Sequence, residues 1–476
     1  MNLDNSLPAQ ELIDSLPPPW QVDPLPEIRE EIEERPSKVF VLDDDPTGPQ
    51  TVRGVALLTE WSINELRSEF DASEEATFIL TNSRSVPEVE AVRVNREVGH
   101  NLLEASAELG RSITVISRSD STLRGHFPSE VEALAEALYP HREYDALIFV
   151  PFFQEGGRYT IGDIQYAREG NNLIPVADTP FAKDTAFGYE SSNLRDWMEE
   201  KYKGRVKAKN VVSISIDEIR TGGPKKVQVS LEKLENGAIC VINAAEMRDL
   251  DVVALAVLRA EKGGKKFLFR TSASFVRSRI GQQQNPFLTR CEVSDSEEGG
   301  ALIIVGSHVA GSTRQLDKLL ELPDMYGIEL SVQGVIDDDP NLVPRIISQV
   351  EKCLSNSEDV TVYTSRELVT GNSPEDYLRI GAAVTDAMSN VVRGLSIKPR
   401  YLISKGGMTS SNVTKNGLNM RRALVPGQIS PGVLVLEMGP EAKYPGTRFV
   451  LFPGNVGEPE AIADVVKKMA LPSRGS

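Results

Sequence analysis

From Lys38 onward the chain repeats one pattern: short runs of Val, Ile, Leu and Phe alternate with longer amphipathic stretches. The runs Val39–Leu42, Thr77–Leu80, Ile113–Ile116, Ala146–Val150, Ile239–Ile242 and Phe267–Phe269 are too short for helices and almost unbroken in apolar character. Strands buried on both faces have that appearance. Between the second and third runs, Val94, Val98, Leu102, Ala105 and Leu109 recur three or four positions apart, which predicts a helix, and Pro87 suits its first turn. Strands and helices in alternation predict an α/β architecture with mainly parallel strands flanked by helices.

The segment TRCEVSDSEEGG, Thr289 to Gly300, interrupts the alternation with polar, acidic and glycine-ended composition, as a linker does. A second block follows, with strands expected at Ala301–Val305, Val360–Tyr363, Tyr401–Ile403, Val433–Leu436 and Phe449–Phe452 and a helix at the end. Two α/β domains are therefore expected, over 38–295 and 296–476, after a proline-rich acidic lead over 1–37. In open parallel sheets ligands gather beyond the carboxyl ends of the strands. The unusual polar clusters of this chain fall at those points.

Three clusters follow strands of the first block: DDDPTG (Asp43–Gly48), TNSR (Thr81–Arg84) and SRSDSTLRGH (Ser117–His126). Adjacent carboxylates repel, and burial raises their pKa values, so Asp43, Asp44 and Asp45 require a cation, a basic partner or water. The motif reads either as a solvated turn or as a site for Mg²⁺ or for activating a hydroxyl. The third cluster surrounds Asp120 with Arg118, Arg124, His126 and hydroxyl side chains. Arginine matches a carboxylate or phosphate, and Ser121 and Thr122 suit sugar hydroxyls; the plainer alternative is a surface ion pair. Arg84 would join this cluster from a neighbouring strand end. QEGGRYTIGD, Gln154 to Asp163, adds Arg158 on a glycine-bearing loop.

The second block is marked by GSHVAGSTRQ (Gly306–Gln315), SKGGMTSSN (Ser404–Asn412) and FPGNVG (Phe452–Gly457). Small residues at strand-to-helix turns uncover backbone N–H groups that bind phosphate, and three such turns in one domain point to a nucleotide or another phosphate-bearing ligand. Neither G-x-x-x-x-G-K-[ST] nor G-x-G-x-x-G occurs, so a P-loop and an ordinary dinucleotide fold lack support. His308, in the first of these turns, reads more simply as a solvated side chain than as a base.

Charge narrows the partners further. With 52 Lys and Arg against 69 Asp and Glu, a formal net charge of −17 argues against nucleic acid or an anionic membrane surface. Cys240, Cys291 and Cys353 are far apart and suggest neither a disulfide framework nor a zinc site. No apolar run approaches a membrane span, and no basic start precedes an apolar stretch, so the cytoplasm is the expected compartment.

Taken in order, Asp44–Gly48, TNSR, DSTLRG (Asp120–Gly125), Gly157–Arg158, Gly306–Ser307, GGMT (Gly406–Thr409), Pro431–Gly432 and GNVG (Gly454–Gly457) resemble the motifs of the four-carbon acid sugar kinase family. The resemblance covers most of the chain from Lys38, and DSTLRG is its most specific part. An additional Asp and a Pro in the first motif, and Pro453 where the family commonly has Lys-Ser, depart from the pattern and fit a divergent subgroup.

The resemblance implies an acid-binding N-terminal domain, a nucleotide-binding C-terminal domain and an active site in the cleft between them. It further implies ATP-dependent phosphorylation of a hydroxyl on a small sugar acid. Asp44 or Asp45 would orient or deprotonate the acceptor, with Asp45 also a contact for Mg²⁺. Arg84 and Arg124 would hold the acid's carboxylate, Ser121 and Thr122 its hydroxyls, and Asp120 and Arg158 would complete the substrate set. ATP would lie on Ser307, Gly406, Gly407, Met408, Thr409, Gly454, Asn455, Val456 and Gly457; a homodimer is compatible with this scheme.

Two rivals remain open on the residues. Asp43-x-Asp45-x-Thr47 after an apolar strand also resembles the haloacid-dehalogenase phosphatase motif, with Asp43 as nucleophile. A sugar-acid sensor that kept both pockets without catalysis is the non-enzymatic reading.

Overall fold

The computed structural model of the protein describes residues 7–46, 48–141, 143–293, 299–307, 309–366, 374–454 and 456–470, without the side chains of 374–378. The chain divides into two compact units, Met1–Val52 with Glu60–Gln284, and Arg53–Thr59 with Asn285–Ser476. The boundary expected near 296 falls in 294–298, outside the described residues.

In the first unit, strands β1 (Lys38–Asp43), β2 (Ala76–Leu80), β3 (Ile113–Arg118), β4 (Ala146–Val150), β5 (Val212–Ile214), β6 (Ala238–Ile242) and β7 (Phe267–Thr271) form one sheet. Their order is β5-β6-β4-β7-β3-β1-β2, and each pairing is parallel. The apolar runs become strands because both faces of this sheet are covered: Val39, Phe40, Val41 and Leu42 are each at most 3% exposed. The expected helix spans Glu88–Leu109, buries Val94, Val98, Leu102 and Ala105, and stops at Gly110, whose φ of +62° suits glycine. Leu109, placed on the apolar face by the pattern, is instead 42% exposed in the last turn.

Two features of this unit lay outside the pattern. The lead segment is part of the fold: helix Leu25–Glu34 packs Leu25 and Ile28 against Ala254, Leu255 and Leu258. After β4 a separate antiparallel sheet forms from Leu7–Pro8, Asn172–Pro175, Ile164–Glu169 and Arg158–Ile161, so part of the loop expected at Gln154–Asp163 is strand.

The second unit contains β8 (Leu302–Val305), β9 (Met325–Leu330), β10 (Asp359–Thr364), β11 (Tyr401–Lys405), β12 (Arg422–Ser430), β13 (Val433–Met438) and β14 (Arg448–Phe452). Strands β14-β11-β8-β10-β9 are parallel neighbours. Strands β14, β13, β12 and Val55–Leu58 continue antiparallel. Ile303, Val305, Ile403, Val450 and Phe452 pack with Leu316, Ile462 and Val466 of two helices in one buried cluster. Among the described residues no helix is long and apolar enough to cross a membrane.

Candidate functional site

Register brings the first unit's polar clusters together. In β1, Asp43 stands opposite Leu80 of β2 and Arg118 of β3, so the segments that leave these three strands share one edge of the sheet. Asp43 is fully buried and Asp44 is 3% exposed. The solvated-turn reading of DDDPTG is therefore corrected: these carboxylates are buried because arginines accompany them.

Arg118 places Nη1 2.9 Å from Asp43 Oδ1, 3.5 Å from Asp45 Oδ1 and 3.8 Å from Asp44 Oδ1. Arg84 pairs with Asp45 and lies 3.4 Å from Asp120 and 3.9 Å from Asp44. Arg124 Nε meets Asp120 Oδ2 at 2.7 Å, and its Nη1 is 3.8 Å from Asp184. The surface ion pair considered for Asp120 and Arg124 thus belongs to a larger network. Part of that network stays solvent-exposed, since the Arg124 side chain is 29% accessible.

Arg158 is the exception among these arginines. Its Nε is buried without a hydrogen-bond partner, and burial pushes the guanidinium pKa below its usual value. No ion pair to Arg158 occurs among the described residues, although Asp120 is near enough to oppose that shift. The guanidinium groups of Arg124 and Arg158 lie 5.1 and 5.3 Å from the centre of the Phe181 ring. One aromatic ring thereby gathers two cations, an arrangement suited to a small anion.

The aspartates differ in state. Burial, with Asp44 alongside, raises Asp43 to about 7 against the opposing pull of Arg118. Asp120 moves below the usual carboxylate range, because Arg84, Arg124 and hydrogen bonds from Thr122 outweigh burial. Asp44 accepts a hydrogen bond from Ser119 Oγ at 2.6 Å on Oδ2, whereas its buried Oδ1 has no hydrogen-bond partner. Gly48 is required by sterics: a Cβ there would stand 1.0 Å from Asp43 Oδ2.

Thr122 is turned inward, its N–H and hydroxyl both donating to Asp120, and the Ser121 carbonyl accepts from Gln165 Nε2 at 2.9 Å. Leu123 takes a φ of +66°, a conformation strained for leucine, held by its N–H bond to the Asp120 carbonyl. His126 bonds the Val86 carbonyl at 2.8 Å. Asp45, expected to meet Mg²⁺, instead carries Arg84 and Arg118. Among the described residues no group of three or more His, Cys, Asp or Glu side chains is arranged for a metal ion. This donor set fits guanidinium groups rather than a resident ion.

In the second unit the three glycine turns leave β8, β11 and β14, adjacent parallel strands. Gly406, at φ +113°, donates its N–H to the Phe452 carbonyl at 2.9 Å. A Cβ on Gly454 would lie 3.5 Å from Ser307 Oγ and 3.8 Å from Gly406 Cα, so the turns meet at their glycines. A Cβ on Gly306 would stand 2.0 Å from Thr409 Oγ1. Ser312 Oγ bonds Ser307 Oγ at 3.0 Å and the Gly454 carbonyl at 2.9 Å. Gln315 Nε2 donates to the carbonyls of Val456, Gly457 and Glu458, anchoring the last turn.

Gly407 opens the short helix Gly407–Asn412, Met408 is 73% exposed on it, and Gly457 has a φ of +88°. Asn455 and His308 lie outside the described residues. Sequence reasoning missed Asp184, Phe181 and Ser119 in the first centre, and Arg366, Lys405 and Gln315 in the second. Arg366 Nη1 donates to the Ser307 carbonyl at 2.8 Å, and Lys405 Nζ to the Pro453 carbonyl at 2.7 Å. The one available signal was a lysine ending the buried strand YLISK.

A sugar-binding N-terminal domain family matches residues 39–279, and a nucleotide-binding C-terminal domain family matches residues 302–462. A D-erythronate kinase from Heliobacterium modesticaldum is 27% identical over 227 residues, 46% of this chain and 47% of that protein, so the match spans about half of the relative's length. A Haemophilus influenzae structure superposes with a TM-score of 0.64 at 18% identity, covering 90% of this chain and 100% of its own. A Salmonella typhimurium LT2 structure reaches 0.68 at 16% identity, covering 91% and 100%. At such identities the structural likeness is one of fold.

Proposed function

Because the chain belongs to the four-carbon acid sugar kinase family, we propose that it transfers the γ-phosphoryl group of Mg·ATP to a hydroxyl of a small four-carbon sugar acid. The observation that carries this reading is the pair of centres at strand ends. One, in the region matched as sugar-binding, is rich in Asp and Arg; the other, in the region matched as nucleotide-binding, is built of three glycine turns.

Phosphoryl transfer rests on positioning and on neutralising charge. In the first centre Arg158, with Arg124 beside it on Phe181, receives the acid's carboxylate; Arg84 is already engaged by Asp45 and Asp120. This favours Arg158 over Arg84 for that role. Asp44, with Oδ2 on Ser119 and Oδ1 still able to accept, takes the acceptor hydroxyl's proton, and Asp45 holds Arg84 in place. Uncovered N–H groups and the Ser307 hydroxyl bind the phosphates. Magnesium bound to ATP offsets the phosphate charge.

The phosphatase alternative fares worse on geometry. Asp43, its nucleophile, is fully buried, with one oxygen on Arg118 and the other against Gly48. The test is ADP release from Mg·ATP across a panel of four-carbon sugar acids and their oxo forms, with a no-acid control. Acid-dependent release supports the kinase and identifies its substrate. ATP binding without release for any acid refutes this substrate class.

A further inference from the structure

Lys405 ends β11 at the point where the three glycine turns meet. Its side chain is fully buried, Nζ donates to the Pro453 and Gly454 carbonyls at 2.7 and 3.1 Å, and Nζ lies 4.5 Å from the centre of the Phe452 ring. No ion pair to Lys405 occurs among the described residues, and burial is the cause of its pKa shift. The other buried cations behave differently. Arg118, Arg220, Arg270, Arg277 and Arg279 each face a carboxylate, at 2.9, 2.8, 3.2, 3.9 and 2.9 Å. A buried charge is tolerated when it is paired. Lys405 has only carbonyl dipoles and an aromatic face.

Resting on the nucleotide reading above, we propose that Lys405 is a positioning residue for the nucleotide's phosphates. It fixes the Pro453–Gly454 turn through two carbonyls, and phosphate bound at that turn supplies the counter-charge that the protein does not provide. The ammonium is shielded by the carbonyls that it holds, so it acts through the turn and through its field rather than by contact. Burial brings Lys405 from 10.5 down to about 8. The groups that meet Nζ, two carbonyls and a phenyl ring, do not titrate in this range, and Arg366, which holds the Ser307 carbonyl nearby, stays charged throughout.

A phosphate close to Lys405 favours its charged form and raises its pKa. Nucleotide binding is therefore coupled to proton uptake near pH 8, and affinity falls as pH rises past that value, by up to about tenfold per unit. The nucleotide's own phosphates, with a second pKa of about 6, contribute little to that slope.

The experiment is calorimetric titration of the full chain with Mg·ADP between about pH 7 and 9, in two buffers of different ionisation enthalpy. Wild type, Lys405→Met and Lys405→Arg are compared. Proton uptake by wild type near pH 8 is expected, with affinity falling above it. The Met variant should bind more weakly and lose the slope, and the Arg variant should recover affinity without the slope. Proton-neutral, pH-independent binding by wild type overturns the Lys405 inference while leaving the nucleotide reading standing. Absence of ADP binding overturns both. Should Lys405→Met fail to fold, the wild-type proton count decides alone.

Discussion

Beyond β1, β2 and β3 the chemistry is carried by side chains: Asp43, Asp44, Asp45 and Asp120 set among Arg84, Arg118, Arg124 and Arg158. Beyond β8, β11 and β14 it is carried by main chain that small residues leave uncovered, with Ser312, Gln315 and Lys405 holding the turns from behind. On the proposed function, the first centre would recognise charge and geometry in a small molecule, and it would fail when atoms are removed. The second would approach a nucleotide closely with backbone, and it would fail when atoms are added.

Four predictions sharpen that contrast, beginning with the largest expected effect. Asp44→Ala removes the proposed base and should lower turnover by about 10² to 10⁴-fold, with Mg·ADP affinity unchanged by calorimetry. Wild-type turnover in this variant would remove Asp44 from the mechanism. Arg158→Ala should weaken binding of the acid by about 2 to 5 kcal/mol. If titration with the acid shows a larger loss for Arg84→Ala, the assignment of the carboxylate to Arg158 is wrong.

Gly306→Ala adds a Cβ 2.0 Å from Thr409 Oγ1 and should cost about 1 to 3 kcal/mol in nucleotide affinity or stability. Acid binding in the first unit should be untouched, and an equal loss there would blur the division of labour. The smallest effect concerns Asp43, which holds its proton up to about 7 in the folded chain but releases it near 3.8 when unfolded. Between those values the native state binds more protons, so this group makes stability fall as pH rises. Denaturant unfolding across that window should show a flatter profile for Asp43→Asn than for wild type.

Much of this was legible in the residue pattern. The runs Val39–Leu42 and Ile113–Ile116 fall inside β1 and β3, and the run Ala301–Val305 overruns β8 by one residue, because a strand covered on both faces must be continuously apolar over its length. DSTLRG and the glycine turns were conspicuous because polar or small residues stand immediately after such runs. The antiparallel strands Arg158–Ile161 and Ile164–Glu169 were not anticipated, since RYTI and IQYARE draw their stability from pairing with each other and lack a strong periodicity of their own.

The sequence by itself determined the α/β alternation, the place of each polar cluster at a strand end, and the family motifs. Those follow from local composition and spacing. Only the tertiary structure decided which charge belongs to which partner: Arg118 to Asp43, Arg84 to Asp45 and Asp120, and Arg158 and Lys405 to no carboxylate of the described chain. The reason is physical. Ion pairing and desolvation depend on distance in space, and strand order brings together residues as far apart in sequence as Asp43 and Arg118, or Lys405 and Gly454.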